Sequence, residues 1–132
     1  MTAKPLPPVT ALSAPYWQGA AAGELRVQHC RSCDHRFLYA RALCPNCWRT
    51  DLEWEKATGR GAIIAITTVH QPPYAAFAQD VPYRIAIVRL EEGAQMMANI
   101  VGDRAPDAAI GDAVEVLFEQ RDDIAVPQFR LS

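Results

Sequence analysis

The side chains best equipped for chemistry are four cysteines in two equal spacings, Cys30-Arg31-Ser32-Cys33 and Cys44-Pro45-Asn46-Cys47, ten residues apart. A C-x-x-C turn aims two sulfurs at one point, and two such turns complete a tetrahedron around Zn2+ at Zn–S distances of about 2.3 Å. Pro45 presets a turn and Asn46 tolerates unusual backbone angles, which suits the second knuckle. A four-sulfur shell leaves no open coordination position, so the ion expected here is structural. The same tetrahedron would accept iron in the manner of rubredoxin, and spacing alone does not choose between the metals. Disulfides fit poorly with a start, Met1-Thr2-Ala3-Lys4-Pro5, that lacks the apolar stretch of a secretion signal. A redox dithiol would want one C-x-x-C beside a βαβ unit. His29 and His35 flank the first knuckle and are read as surface neighbours rather than ligands.

Five arginines (Arg26, Arg31, Arg36, Arg41, Arg49) fall between Glu24 and Arg49 against two acidic residues, a local balance of +3 in a chain of net charge −2. Guanidinium forks suit phosphate or carboxylate. The ordinary alternative is a solvated basic face. No G-x-S-x-G, H-E-x-x-H or glycine-rich phosphate loop occurs. With the cysteines committed to metal no free thiol nucleophile remains, and His70 reads as structural.

These residues need elements to hold them. Ser13 is expected to cap a short helix running through Tyr16 and Trp17 to Gly23, with Pro15 in its first turn. Residues before Val9 are proline-rich and expected to be extended. Leu25–His29, Arg36–Tyr39 and Leu52–Lys56 read as ribbon strands. Beyond Gly59-Arg60-Gly61, five strands are expected at 62–70, 83–90, 95–101, 113–120 and 128–131, with a helical turn at 105–108. Five short strands fit a closed OB-fold barrel better than a sandwich. The fold class is therefore mainly β: an N-terminal tail and helix (1–24), a zinc ribbon (25–57) and an OB-fold (58–132). The 71–82 connection carries Tyr74 and Phe77, placed either to lid a pocket or to cap the barrel.

At 132 residues, half of them hydrophobic, the chain suits one compact globular protein. Its longest apolar runs fall far short of the ~20 residues that span a bilayer, so a cytoplasmic protein without a membrane partner is expected. The acidic balance, with Glu115 and Glu119 on one strand, argues against single-stranded nucleic-acid binding, the main alternative for a zinc ribbon joined to an OB-fold.

Taken together, Tyr16-Trp17, the paired C-x-x-C knuckles, Leu52-Glu53-Trp54, Gly59-Arg60-Gly61, Thr68-Val69-His70 with Pro72-Pro73, Pro82-Tyr83 and Pro127-Gln128-Phe129-Arg130 resemble the DUF35 family of acyl-CoA-associated proteins. The resemblance covers roughly residue 13 onward. It implies a rubredoxin-like zinc ribbon with an OB-fold and a non-catalytic subunit that accompanies thiolase-like enzymes, hydroxymethylglutaryl-CoA synthases or MaoC-like hydratases. It also implies binding of acyl-CoA. Arg31, Arg36, Arg41 and Arg49 are then candidates for its phosphates, and Tyr16, Trp17 and Phe77 for its apolar parts, or all of them for the partner surface.

Overall fold

The computed structural model describes residues 6–132. The expectation of an extended start therefore lies partly, for residues 1–5, outside the described residues. Helix α1 (Ala14–Ala21) begins after a turn in which Thr10 and Ser13 bond reciprocally, each backbone N–H donating to the other's hydroxyl at 3.0 and 3.1 Å. Ser13 precedes the helix as expected, but its hydroxyl serves Thr10 and makes no capping bond to the helix. Gly23, at φ +79°, turns the chain out of the helix, and the Glu24 amide closes the end on the Gly19 carbonyl.

A three-stranded antiparallel sheet follows, in the order β2-β1-β3: β1 (Arg26–Cys30), β2 (Arg36–Phe37) and β3 (Leu52–Lys56). Strand β2 is two residues shorter than expected. The chain leaves the sheet after Phe37, and Tyr39 is thereby freed to reach the barrel. Below the sheet, the Ala57 amide donates to the Leu25 carbonyl at 2.7 Å, closing the ribbon's base.

The remaining strands close a barrel, β4 (Arg60–Val69), β5 (Tyr83–Leu90), β6 (Gln95–Ile100), β8 (Ile124–Leu131) and β7 (Ala113–Arg121), in that order. β4 pairs with β7 at its start and with β5 along most of its length, bulging between Ile63 and Ala65 as it curves. Gly59, at φ +80°, lies where a Cβ would come within 2.5 Å of Val116 Cγ1, so only glycine fits the step from ribbon to barrel. β8 is longer than expected because residues 124–127 pair in full with β7 across a tight turn at Asp122.

Closure is uneven. β7 and β8 share eight paired positions, whereas β6 meets β8 at Ile100 and Phe129 alone, supported by Val101 N–H to Phe129 O at 2.8 Å. On either side of that one bridge the two strands leave a seam. The core behind it contains Ile63, Val88, Leu90, Met96, Ile100, Val114 and Phe129, continuous with Tyr16, Leu25 and Val27 from the helix and the ribbon's base. No helix among the described residues is long and apolar enough to cross a membrane.

Candidate metal centre and ligand groove

The two knuckles repeat one backbone design. Cys30 N–H donates to His35 O and Asp34 N–H returns to Cys30 O, both at 2.8 Å. In the second, Cys44 N–H donates to Arg49 O and Trp48 N–H returns to Cys44 O, both at 2.9 Å. In each, the residue after the second cysteine sits in the left-handed region, Asp34 at φ 65° and Trp48 at φ 68°.

The turns bring the four sulfurs together, all within 4.8 Å of one another. Cys30 and Cys47 Sγ are 3.5 Å apart, and Cys33 and Cys44 Sγ 3.6 Å. A tetrahedral Zn2+ needs S···S separations of about 3.8 Å, so the donor set fits zinc. Asn46 supplies the surrounding bonds, its backbone N–H to Cys44 Sγ at 3.4 Å and its side-chain amide to Cys33 Sγ at 3.5 Å. That amide draws the Cys33 pKa down to about 6. At Cys47 the Arg49 amide pulls downward, but desolvation and the other three thiols outweigh it and push the value up to about 12. Four sulfurs crowded this closely cannot share negative charge without a cation among them.

Beside the metal centre lies a charged lattice. His29, only 12% exposed, is clamped between Glu53 at 2.7 Å and Asp34 at 2.6 Å. The Glu53 bond and then the Asp34 bond hold its pKa above the ordinary value. It is thus a hub of the ribbon, where the sequence suggested a surface bystander. His35 stacks on Phe37 at 5.8 Å. Arg31 binds Asp51 at 2.9 Å and Glu53 at 3.1 Å, and Arg36 binds Glu55 at 2.7 Å. These two arginines are held by the ribbon's own carboxylates. Arg41 and Arg49 are exposed and have no side-chain partner among the described residues. Gln28, 3% exposed, was not singled out from the sequence; its amide donates to Arg41 O and accepts from Arg41 N–H, pinning the loop between the knuckles. Gln28 lies on the strand face opposite Leu25 and Val27, so the alternation of β1 gave no sign of its burial.

A second feature runs along the seam. A cavity of about 490 Å³ is lined by Phe77, Tyr83, Arg84, Asn99, Arg121 and Gln128, among others. It adjoins one of about 230 Å³ that shares Phe77, Tyr83, Arg121 and Gln128 and extends to Met97, Val126 and Pro127. A third, of about 240 Å³, shares those last three and ends at Trp17. Trp17 therefore stands at one end of a run of cavities, Phe77 at the junction of the other two, and Ala105 and Pro106 at the far end. Tyr16 is 8% exposed and belongs to the core, packing edge-on to Trp17 at 4.9 Å. Burial raises its hydroxyl pKa. Tyr74 is 60% exposed.

The cations of this groove are Arg84 and Arg121, neither singled out from the sequence. Arg84 donates to the carbonyls of Ala105, Pro106 and Ala108, and its buried Nε has no acceptor among the described residues. Arg121 binds Glu119 and lies 5.9 Å over the Phe77 ring. An arginine within the apolar strand Tyr83-Arg84-Ile85-Ala86 was the visible hint. At the seam itself, Met97 N–H donates to the Tyr39 hydroxyl at 2.9 Å, tying the ribbon's loop to β6.

Two family descriptions match, in sequence: "ChsH2, rubredoxin-like zinc ribbon domain" over residues 17–53 and "ChsH2, C-terminal OB-fold domain" over 54–119. A DUF35 domain-containing scaffold protein of Methanocaldococcus jannaschii is 37% identical over 92 residues, covering 69% of this chain and 64% of that protein. A probable enoyl-CoA hydratase alpha subunit of Thermomonospora curvata is 29% identical over 128 residues, covering 96% of this chain but 40% of that protein. The chain thus spans less than two thirds of either relative. In three dimensions it resembles a chain of the Ltp2–ChsH2(DUF35) aldolase, with TM-score 0.83, 28% identity and coverage of 96% and 98%.

Proposed function

Because this chain belongs to the DUF35 family, its zinc ribbon joined to an OB-fold, we propose that it is a non-catalytic accessory subunit acting in the cytoplasm. It binds acyl-CoA and docks on a thiolase-like or MaoC-like hydratase partner in acyl-CoA, lipid or polyketide metabolism. Cys30, Cys33, Cys44 and Cys47 hold the zinc, which contributes no substrate position because its shell is closed. The observation that carries the CoA reading is the run of three adjoining cavities from Trp17, past Phe77, to Ala105 and Pro106. Pantetheine is long, thin and punctuated by amides, and it suits a groove in which apolar side chains such as Phe77, Met97, Val126 and Pro127 alternate with polar ones such as Asn99 and Gln128.

The composite nature of the site follows from charge. Arg84 and Arg121 are engaged by carbonyls and by Glu119, and Arg31 and Arg36 by carboxylates. Arg41 and Arg49 have no side-chain partner among the described residues but line none of these three cavities, so the phosphates of CoA at this groove need cations from the partner and affinity is completed at a shared surface. The named relatives support this reading, one being a hydratase alpha subunit and another a ChsH2 domain within an aldolase.

The test is purification of the zinc-loaded chain from its source cells, followed by calorimetry with acetyl-CoA. A thiolase-like or hydratase-like enzyme is expected to co-elute, and acetyl-CoA to bind the complex at least about tenfold more tightly than the isolated chain, or 1.4 kcal/mol. Thioester turnover by the isolated chain, or equal affinity with and without the partner, would refute the proposal.

A further inference from the structure

Trp48 carries two burdens at once. It sits at φ 68°, a region that bulky L-residues rarely adopt, and it is 77% exposed. The matching position of the first knuckle holds Asp34, a residue type that tolerates this conformation and whose carboxylate is used by His29 and Arg36. Glycine or asparagine would serve the second turn with less strain, and among the described residues no ring or cation stacks on Trp48. An exposed indole on a strained backbone is the kind of local cost that a binding role explains.

Charge separates the two knuckles in the same direction. Around the first, Arg31, Arg36 and His29 all have carboxylate partners. Around the second, Arg41 and Arg49 have none among the described residues, and Leu43 is 44% exposed. The cavities described above are lined by the barrel, the helix and residues 38–40 of the inter-knuckle loop, and by none of Arg41, Leu43, Trp48 or Arg49. Trp48 is thus a protruding knob next to the exposed Arg49 on a support cross-linked by metal, a shape suited to another protein's pocket more than to a small molecule.

Resting on the partner reading above, we infer that the second knuckle is the anchor of this subunit, with Trp48 filling an apolar pocket of the acyl-CoA enzyme and Arg41 and Arg49 facing carboxylates around its rim. Tryptophan and arginine are the residues that most often dominate an interface, and rim charges set association rate and salt dependence. The ribbon then grips the enzyme through this knuckle while the barrel's seam stays available to ligand.

The experiment uses the full chain with zinc bound and, as its probe, the acyl-CoA enzyme that co-elutes with the wild-type chain and is identified by mass. Trp48→Gly and Trp48→Asn are expected to keep full zinc content and to melt no lower than wild type, since both residues suit φ 68°. Both are expected to bind the enzyme about 30-fold or more weakly. Arg41→Glu with Arg49→Glu should slow association and flatten its salt dependence. Retention of affinity within about threefold by both Trp48 variants would overturn the anchor while leaving the partner reading intact. Loss of zinc or of melting temperature in both would overturn it as well, by showing a structural role. So would a Trp48-dependent dimer of this chain, or Trp48-dependent binding of a single-stranded oligonucleotide, in place of the enzyme contact. If no acyl-CoA enzyme co-elutes with wild type, the partner reading fails and takes the anchor with it.

Discussion

The cysteine-bearing tip and the barrel are both made of short antiparallel strands, yet they are held by different means. At the tip, the buried cluster is Cys30, Phe37 and Cys44 with Cys33, Cys47 and Leu52 around it; without its sulfurs it has two hydrocarbon side chains. That is too little apolar surface to offset chain ordering, and a bound zinc, worth about 10–16 kcal/mol in small fingers, closes the gap. The barrel instead buries a continuous set of branched and aromatic side chains around Phe129. The dividing line does not follow the linker between ribbon and barrel. Leu25 and Val27 belong to the barrel's core, and Cys30, three residues on, belongs to the metal's. The ribbon's base and its tip are therefore separate in stability although they share a strand.

The largest effect is expected from removing the metal. Chelation, or Cys44→Ser, should abolish hydrogen-exchange protection over residues 29–53 while residues 84–100 remain protected; simultaneous loss of both would merge the two regions into one. The converse variant is Phe129→Ala, at a fully buried position on the single β6–β8 bridge. It should cost about 3–5 kcal/mol of barrel stability in chemical denaturation. Zinc stoichiometry should stay at one until the barrel melts.

Acid sharpens the contrast further. The His29 bond, then the Arg31 bond, hold the Glu53 pKa below its ordinary 4.5. A depressed carboxylate contributes stability that is present above pH 4.5 and lost as pH falls through the folded value. Glu53→Gln should therefore lower the ribbon's melting temperature at pH 6 and lose that difference below about pH 4.5, measured at matched zinc content. An unchanged gap at low pH would remove Glu53 from the account. The smallest effect is expected from Tyr39→Phe, which deletes the acceptor of Met97 N–H. It should cost about 1 kcal/mol and speed exchange of that one amide.

Much of this architecture could be read from residue types, for definite reasons. The C-x-x-C pairs are local geometry, so spacing suffices for them. The alternation Val114, Val116, Phe118 against Glu115 and Glu119 is likewise local, and β7 appears where it was expected. What spacing could not reveal is which charges meet. Arg31 and Arg36 are cancelled by Asp51, Glu53 and Glu55 some twenty residues away, a pairing set by strand register. Arg41 and Arg49 look no different in sequence and have no side-chain partner among the described residues. The early part of β8 was missed because Pro127 interrupts its pattern, although proline is tolerated where a strand faces the seam. Trp48 escaped notice because nothing in a sequence reports φ.

The strand order of the barrel has a bearing on how the chain is made. β8 is translated after β4, β5, β6 and β7, yet its place is between β6 and β7. Until it emerges, the nascent sheet runs β7-β4-β5-β6 and presents two unpaired flanks, each able to recruit a neighbouring polypeptide on the same polysome. Insertion of this one segment covers both flanks together, so the ring stays aggregation-prone through most of its synthesis and loses that hazard in a single late step.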